Sequence, residues 1–399
     1  MTHPARDVLI VGAGPAGAVC ALALAQQGVP ARVLEAQAGD ARGDARTLAL
    51  SHGARLILER IGVWDALGAV TPITRIHISQ RGALGVARLA ADELDVPALG
   101  YVLPYAELTA ALKQALSSAH IAVDYGVAVE RIETEADIAT LHTSRGALST
   151  PLAVVADGGR SLDAPRPRVR REYDQTAVVC DVRTELPHAN QAYERFTPDG
   201  PAALLPNGDR YTSQGDSDFL CAKARENAYA LIWTVRTADA ERIAALDDAA
   251  FLDALYRHFG GRQGRFLEAS PRKTFPLKLA YTGSEAGMRT VRIGNAAQTL
   301  HPVAGQGFNI GLRDAFELAL ACADTPPDQI GSTAMLAAYT RGRRVDVVGG
   351  LGFTDFLVRT FSNDFPPLRH ARGLGLLALE ALPPLKTFVA RRMMYGARG

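Results

Sequence analysis

The chain has 399 residues, enough for about two domains or one large core. Its 43 basic and 42 acidic residues leave a net charge of +1, which argues against a nucleic-acid coat. Four scattered cysteines (Cys20, Cys180, Cys221, Cys322) form no C-x-x-C pair, against a zinc or disulfide framework, and no apolar run reaches the ~18 residues of a bilayer span.

Residues 7–11 (DVLIV) are an apolar run suited to a buried parallel strand. Residues 15–27 read as an Ala/Leu-rich helix closed by Gly28, and 31–35 (ARVLE) as the second strand of a β-α-β unit. A polar loop at 39–43 precedes a helix over 51–61 with Ser51 as its N-cap. Residues 73–79 alternate as a half-exposed strand does, 107–118 read as helix, and 154–159 as a strand entering a glycine turn. From 173 to 236 the pattern is mostly β, and 240–258 predicts one helix. Strands return at 273–280 and 290–295, then helices at 309–323 and 332–360. The Leu/Arg-rich segment from Leu368 suits either helices packed on the body or helices resting on a membrane surface.

The N-terminal β-α-β unit carries Gly12-Ala13-Gly14-Pro15-Ala16-Gly17. Gly12 permits the tight turn, Gly14 the approach of a pyrophosphate, and Gly17 close packing of helix on strand. The helix N-terminus offers free N–H groups and partial positive charge to phosphates. Glu35, at the end of the second strand, is placed to accept from ribose hydroxyls and disfavours a 2′-phosphate. There is no second fingerprint of this kind. Asp157-Gly158 follows the strand LAVVA, and Asp157 reads either as a ligand-facing residue or as the cap of its own turn. The block GNAAQTLHPVAGQGFNIGLRD (294–314) ends a strand about 280 residues after the fingerprint, so the cofactor is long.

These three motifs, in this order, resemble the single-component flavin aromatic hydroxylases. Further segments narrow the likeness to the ubiquinone-biosynthesis hydroxylases, in particular the 2-polyprenyl-6-methoxyphenol hydroxylase subgroup: RTLALS (46–51), YDQTAVV (173–179), ERFTPDGPAALLP (194–206), and Asn295 with Gln298. The resemblance implies an α/β fold, with a Rossmann-like FAD-binding domain (1–75, 100–165 and 285–323). An inserted antiparallel β-sheet substrate domain (76–99 and 166–284) and a C-terminal helical region (324–399) complete it. It implies non-covalent FAD, with NADH or NADPH as transient electron donor. Gly12, Gly14, Gly17, Glu35, Arg46, Asp157, Gly158, Asn295, Gly305, Gly307 and Asn309 would bind the cofactor. In that family an Asp stands where this chain has Asn295. Tyr105 occupies a position where relatives carry Asn or Arg, and is given no cofactor role.

The implied reaction is hydroxylation of a polyprenylated phenol by O2 through a flavin C4a-hydroperoxide, so catalysis rests on the cofactor. No protein catalytic residue or metal ligand is assigned. His301, Pro302 and Phe275 are candidates for the pocket wall beside the phenol; packed core or surface roles serve equally for His301 and Phe275. A soluble hydroxylase of a small phenol and a flavin-bearing assembly subunit are the competing readings. The expected location is cytoplasmic, peripheral at the inner face of the membrane, beside other ubiquinone-biosynthesis proteins.

Overall fold

In the computed structural model, residues 7–39, 46–82, 85–159, 169–208, 226–282, 288–299, 306–362 and 365–396 are described. In chain order, β1 (Val8–Val11), α1 (Pro15–Gln26), β2 (Ala31–Glu35), β3 (Thr47–Ser51), α2 (His52–Arg60), β4 (Thr71–Ile73), β5 (Arg75–Gln80), β6 (Val86–Ala90), β7 (Gly100–Pro104) and α3 (Tyr105–Ser118) form the first third. Six strands follow: β8 (Ala122–Tyr125), β9 (Val129–Thr134), β10 (Ala139–Thr143), β11 (Gly146–Thr150), β12 (Ala153–Val155) and the long β13 (Val169–Thr184). Then come β14 (Gln191–Thr197), β15 (Gly200–Pro206), β16 (Ala228–Arg236), α4 (Thr237–Ala244), α5 (Asp248–Phe259), β17 (Phe266–Ala269) and β18 (Lys273–Tyr281). The last elements are β19 (Thr290–Arg292), β20 (Gln298–Thr299), α6 (Gln306–Ala323), α7 (Thr333–Phe361), α8 (Pro366–Ala381) and α9 (Pro383–Tyr395).

A five-stranded parallel sheet, in the order β19-β12-β1-β2-β8, is the nucleotide-type layer. Its central strand β1 is buried at all four residues, which is why the segment reads as a continuous apolar run rather than alternating. The almost wholly apolar α1 packs between this sheet, α3 and α6, in the largest core cluster of the molecule. A nine-stranded sheet stands beside it, in the order β20-β18-β13-β16-β15-β14-β5-β6 with β17 on β13. Its neighbours are antiparallel except β14 and β5, which run parallel. Helices α4 and α5 cover one face through Trp233, Phe251 and Phe259, and α8 lies across β6 at the sheet's end. A small sheet, β3-β7-β4, joins the two layers.

The predicted elements recur with two instructive shifts. The helix expected over 240–258 is two helices: Asp247 accepts from the Ala250 N–H at 2.8 Å, so its side chain starts a new helix where the apolar spacing alone suggests continuity. Helix α6 begins at Gln306, three residues before the predicted start. Ser51 caps α2 as expected, its hydroxyl accepting from the Ala54 N–H.

Candidate active site

The fingerprint turn leaves β1 through Gly12 at φ +103°, where a Cβ would stand 2.8 Å from the Ala156 carbonyl oxygen. Only glycine passes there. At Gly17 a Cβ would meet the Gly12 oxygen at 2.0 Å, so α1 rests directly on the turn. Gly14 precedes α1 in extended conformation with open space where a side chain would be. Glu35 closes the opposite side: its carboxylate accepts from the Ala13 N–H (2.8 Å) and the Gln37 N–H (2.9 Å), tying the end of β2 to the glycine turn.

The second and third motifs meet beside this turn. Gly158 and Gly159 lie at φ +73° and +77°, and Asp157 accepts from the Gly159 N–H at 2.8 Å, capping its own turn. A Cβ on Gly159 would stand 3.5 Å from the Asn295 carbonyl oxygen, and one on Gly294 (φ +58°) would stand 3.0 Å from the Ala16 side chain. The three motifs are therefore one continuous backbone surface.

The Gly294 turn is held from below by charge. Asp314, 4% exposed, accepts from Gln298 Nε2 (2.8 Å) and from the Gly294 N–H (3.4 Å). Arg343 of α7 reaches the same carboxylate at 2.7–2.9 Å, and also Glu317 (3.0 Å) and Asp346 (2.9 Å). Burial pushes the Asp314 carboxyl above the usual aspartate range, and Arg343 pulls it partly back. Gln298 thus faces inward to Asp314, whereas Asn295 is exposed at the cavity.

A cavity of about 1430 Å³ opens from the glycine turn. Ordinary small-molecule pockets hold roughly 300–1,000 Å³. Gly12, Glu35, Lys113 and Tyr125 bound one end. Arg46, Leu48, Tyr105, Asp157, Gly158 and Asn295 bound the middle. Beyond them the first turn of α6, Gln306–Asn309, forms a wall, and the cavity continues between Ile76, Leu89, Leu205, Ile232 and Met393. The first turn of a helix carries N–H groups without intrahelical partners and the positive end of the dipole. Among the described lining residues there is no His and no Cys; the carboxylates are Glu35, Asp157 and Glu194.

The family model described as the FAD binding domain matches residues 5–347. The chain belongs to the FAD-dependent monooxygenase family of the ubiquinone hydroxylases. It is similar, at 33% identity over 97% of this chain and 89% of the relative, to the ubiquinone hydroxylase UbiL of Rhodospirillum rubrum. At 30% identity, over 97% of each chain, it is similar to the 3-demethoxyubiquinol 3-hydroxylase of Escherichia coli. Two solved structures share the fold. p-Nitrophenol 4-monooxygenase PnpA from Pseudomonas putida has a TM-score of 0.74 at 18% identity, covering 98% of this chain and 99% of that one. HpxO from Klebsiella pneumoniae, complexed with FAD and uric acid, has 0.72 at 17% identity, covering 100% and 99%.

FAD is the cofactor of this flavin hydroxylase, and the residues present suit it. Glycines stand where a Cβ would fill the cradle, a carboxylate closes the ribose end, and the cavity spans from fingerprint to α6. Of the predicted binding residues, Gly12, Gly14, Glu35, Arg46, Asp157, Gly158, Asn295, Gly307 and Asn309 line that cavity. Gly17 lies beneath it, packed on Gly12. His301, Pro302 and Gly305 lie outside the described residues, as does Cys221. The Asn309 side chain is engaged structurally: it accepts from the Ser51 N–H (2.8 Å) and donates to the Ala49 carbonyl (3.1 Å), pinning β3 along the cavity. Phe275 is not among the lining residues. It pairs with Ala177, which pairs with the lining residue Thr234, so it stands on the cavity side of the sheet, two strands away and 37% exposed.

Sequence reasoning passed over Tyr105, whose ring lies 5.0 Å beneath the Arg46 guanidinium and lines the cavity. It also passed over Arg343, whose carboxylate partners Asp314 and Glu317 lie on another helix, and the α9 face of Ala390, Met393 and Met394. The i, i+3, i+4 spacing of those three was the available signal.

Proposed function

We propose that this flavin hydroxylase oxidises the ring of a polyprenylated phenol in ubiquinone biosynthesis. The observation that carries the reading is the apolar chamber beyond the α6 wall, lined by Ile76, Leu89, Leu205, Ile232 and Met393. A small phenol needs no such extension; a phenol with an isoprenoid tail does. The names of the two curated relatives point to the same substrate class.

Bound FAD, reduced by NADH or NADPH, supplies the oxygen-transferring chemistry. The chain's own tasks follow from its geometry. Gly12, Gly14 and the α1 N-terminus would receive the pyrophosphate, and Glu35 would accept from ribose. The Asp157–Gly158 and Gly294–Asn295 turns, with Arg46 stacked on Tyr105, would hold the part of the cofactor between its two ends. The backbone N–H groups at the start of α6 (Gly307–Asn309) line the cavity and would stabilise negative charge on a bound flavin. The apolar chamber keeps water from the reacting ring and holds the phenol in position. The same reading divides the chain into an FAD-binding unit (1–75, 100–165, 285–323), a substrate unit (76–99, 166–284) and a helical region (324–399). It sets the enzyme in the cytoplasm, at the inner face of the membrane, beside other proteins of the pathway. No single helix among the described residues is long and apolar enough to cross a membrane.

The test is turnover by the flavin-loaded protein with a short-tailed prenyl phenol, reduced nicotinamide and O2, read as a product carrying one added oxygen atom. Hydroxylation of tail-less phenols with equal kcat/KM would replace this reading with the small-phenol one. Flavin retention without product from any phenol would favour the assembly subunit.

A further inference from the structure

The last elements of the chain are exposed where they are most apolar. Helices α8 and α9 meet at a 97° bend. Around that elbow Leu374 and Phe388 are each 67% exposed and Leu382 is 52% exposed, with Leu377 and Leu385 also open to solvent. Singly exposed leucines are ordinary, but five large apolar side chains exposed along two consecutive helices are not.

Charge is distributed to match. Residues 341–399 hold ten Lys or Arg and four Asp or Glu, a balance of +6. The remaining 340 residues hold 33 and 38, a balance of −5, within a chain of net +1. Three of the four acids are already engaged: Asp346 is buried against Arg313 and Arg343, Asp355 pairs with Arg171 and Arg359, and Glu380 pairs with Arg88 and Lys386. Exposed apolar side chains in a region of net positive charge, with Arg391 exposed on α9, suit a surface with an acyl interior and anionic headgroups.

Helix α9 links that surface to the cavity. Ala390, Met393 and Met394 line the chamber, and at 3.6 residues per turn Leu385 and Phe388 fall on the opposite side of the same helix. Gln306 Nε2, at the start of α6, donates to the Met393 carbonyl at 3.3 Å, so α9 is fastened to the cavity wall.

We propose that the α8–α9 elbow docks on an anionic lipid bilayer, with α9 as the partition through which a lipid-dissolved substrate tail reaches the chamber. The docking half stands on the surface alone. The entry half rests on the polyprenyl reading above.

The test uses full-length, flavin-loaded protein sedimented with phosphatidylcholine vesicles, with and without phosphatidylglycerol. Wild type should partition onto the anionic vesicles and be released by salt. The double variant Leu382→Asp/Phe388→Asp should lose on the order of tenfold or more in partition, since each large apolar side chain is worth about that factor when buried. Flavin content and thermal midpoint equal to wild type show that the fold is intact. Arg391→Gln should weaken binding to anionic vesicles and leave neutral ones unchanged. Equal sedimentation of wild type and double variant would overturn the proposal. So would a wild-type dimer that the double variant converts to monomer without any vesicle binding, because the elbow would then be a contact between copies. For the entry half, the double variant should keep turnover of a short-tailed phenol in solution and lose it for a long-tailed phenol held in vesicles. Failure of wild type on the short-tailed phenol would refute the substrate reading while leaving the docking result standing.

Discussion

Replacing Arg343 with Ala should cost about 3–5 kcal/mol near neutral pH, the usual result of removing one partner from a buried ionic cluster. Arg343 is 3% exposed and bonds to Asp314, Glu317 and Asp346, so its loss strands the buried Asp314 carboxylate, while Asp346 keeps Arg313. The cost should depend on pH in a definite direction. Burial already raises the Asp314 carboxyl above its ordinary value, with Arg343 opposing that rise. Without Arg343 it rises further. A carboxyl whose folded value is raised binds its proton more tightly in the folded chain than in the unfolded one. The stability it contributes is present in acid and lost as pH rises through the folded value. The difference between wild type and Arg343→Ala should therefore be largest near about pH 8 and shrink toward about pH 5, as Asp314 in the variant takes up a proton. Urea unfolding of the flavin-free protein at several pH values reads this directly, and Arg343→Lys should recover part of the loss. Flavin affinity should fall in parallel, because Asp314 fixes Gly294 and Gln298. A cost below about 1 kcal/mol, the scale of an exposed pair, would refute the reasoning, as would one that is flat with pH.

Three further outcomes follow from the site. Glu35→Gln weakens acceptance of the Ala13 and Gln37 N–H groups and of ribose; flavin affinity should drop roughly 10–100-fold, the worth of one hydrogen bond to a charged group, in a fluorescence titration. Gly12→Ala sets a Cβ 2.8 Å from the Ala156 oxygen at φ +103°, and should purify without flavin; a yellow protein of normal affinity would contradict the packing described. Leu205→Trp fills the chamber beyond α6, and should raise KM for a prenyl phenol at least tenfold while flavin content stays at wild type.

What could be read from the sequence was set by local backbone demands. Gly12, Gly17 and Glu35 announce their places because a turn, a helix contact and a strand end each constrain the residue within a few positions. The chamber could not be read in this way. Whether Leu205 or Leu204 faces it depends on the register of β15 against β16, and Ile76 enters it only because β5 pairs in parallel with β14, more than a hundred residues away. Asn309 was legible as a site residue, but its grip on Ser51 and Ala49 was not, since nothing near either segment signals the other. The elbow was legible as Leu/Arg-rich composition alone; which leucines turn outward became clear from the bend.

The wide spacing of the cavity's components also has a temporal meaning. Strand β1 pairs with β12 through Leu9 and Ala153, β12 pairs with β19 through Ala153 and Thr290, and Ser51 waits for Asn309. A ribosome adds ~5–20 residues per second, so the fingerprint emerges many seconds before the segments that complete its walls. During synthesis the nascent chain displays half a nucleotide cleft. Cofactor loading should thus follow chain completion: a polypeptide interrupted before α6 carries every glycine of the fingerprint but lacks the Gln306–Asn309 wall and the Asn309 hold on Ser51.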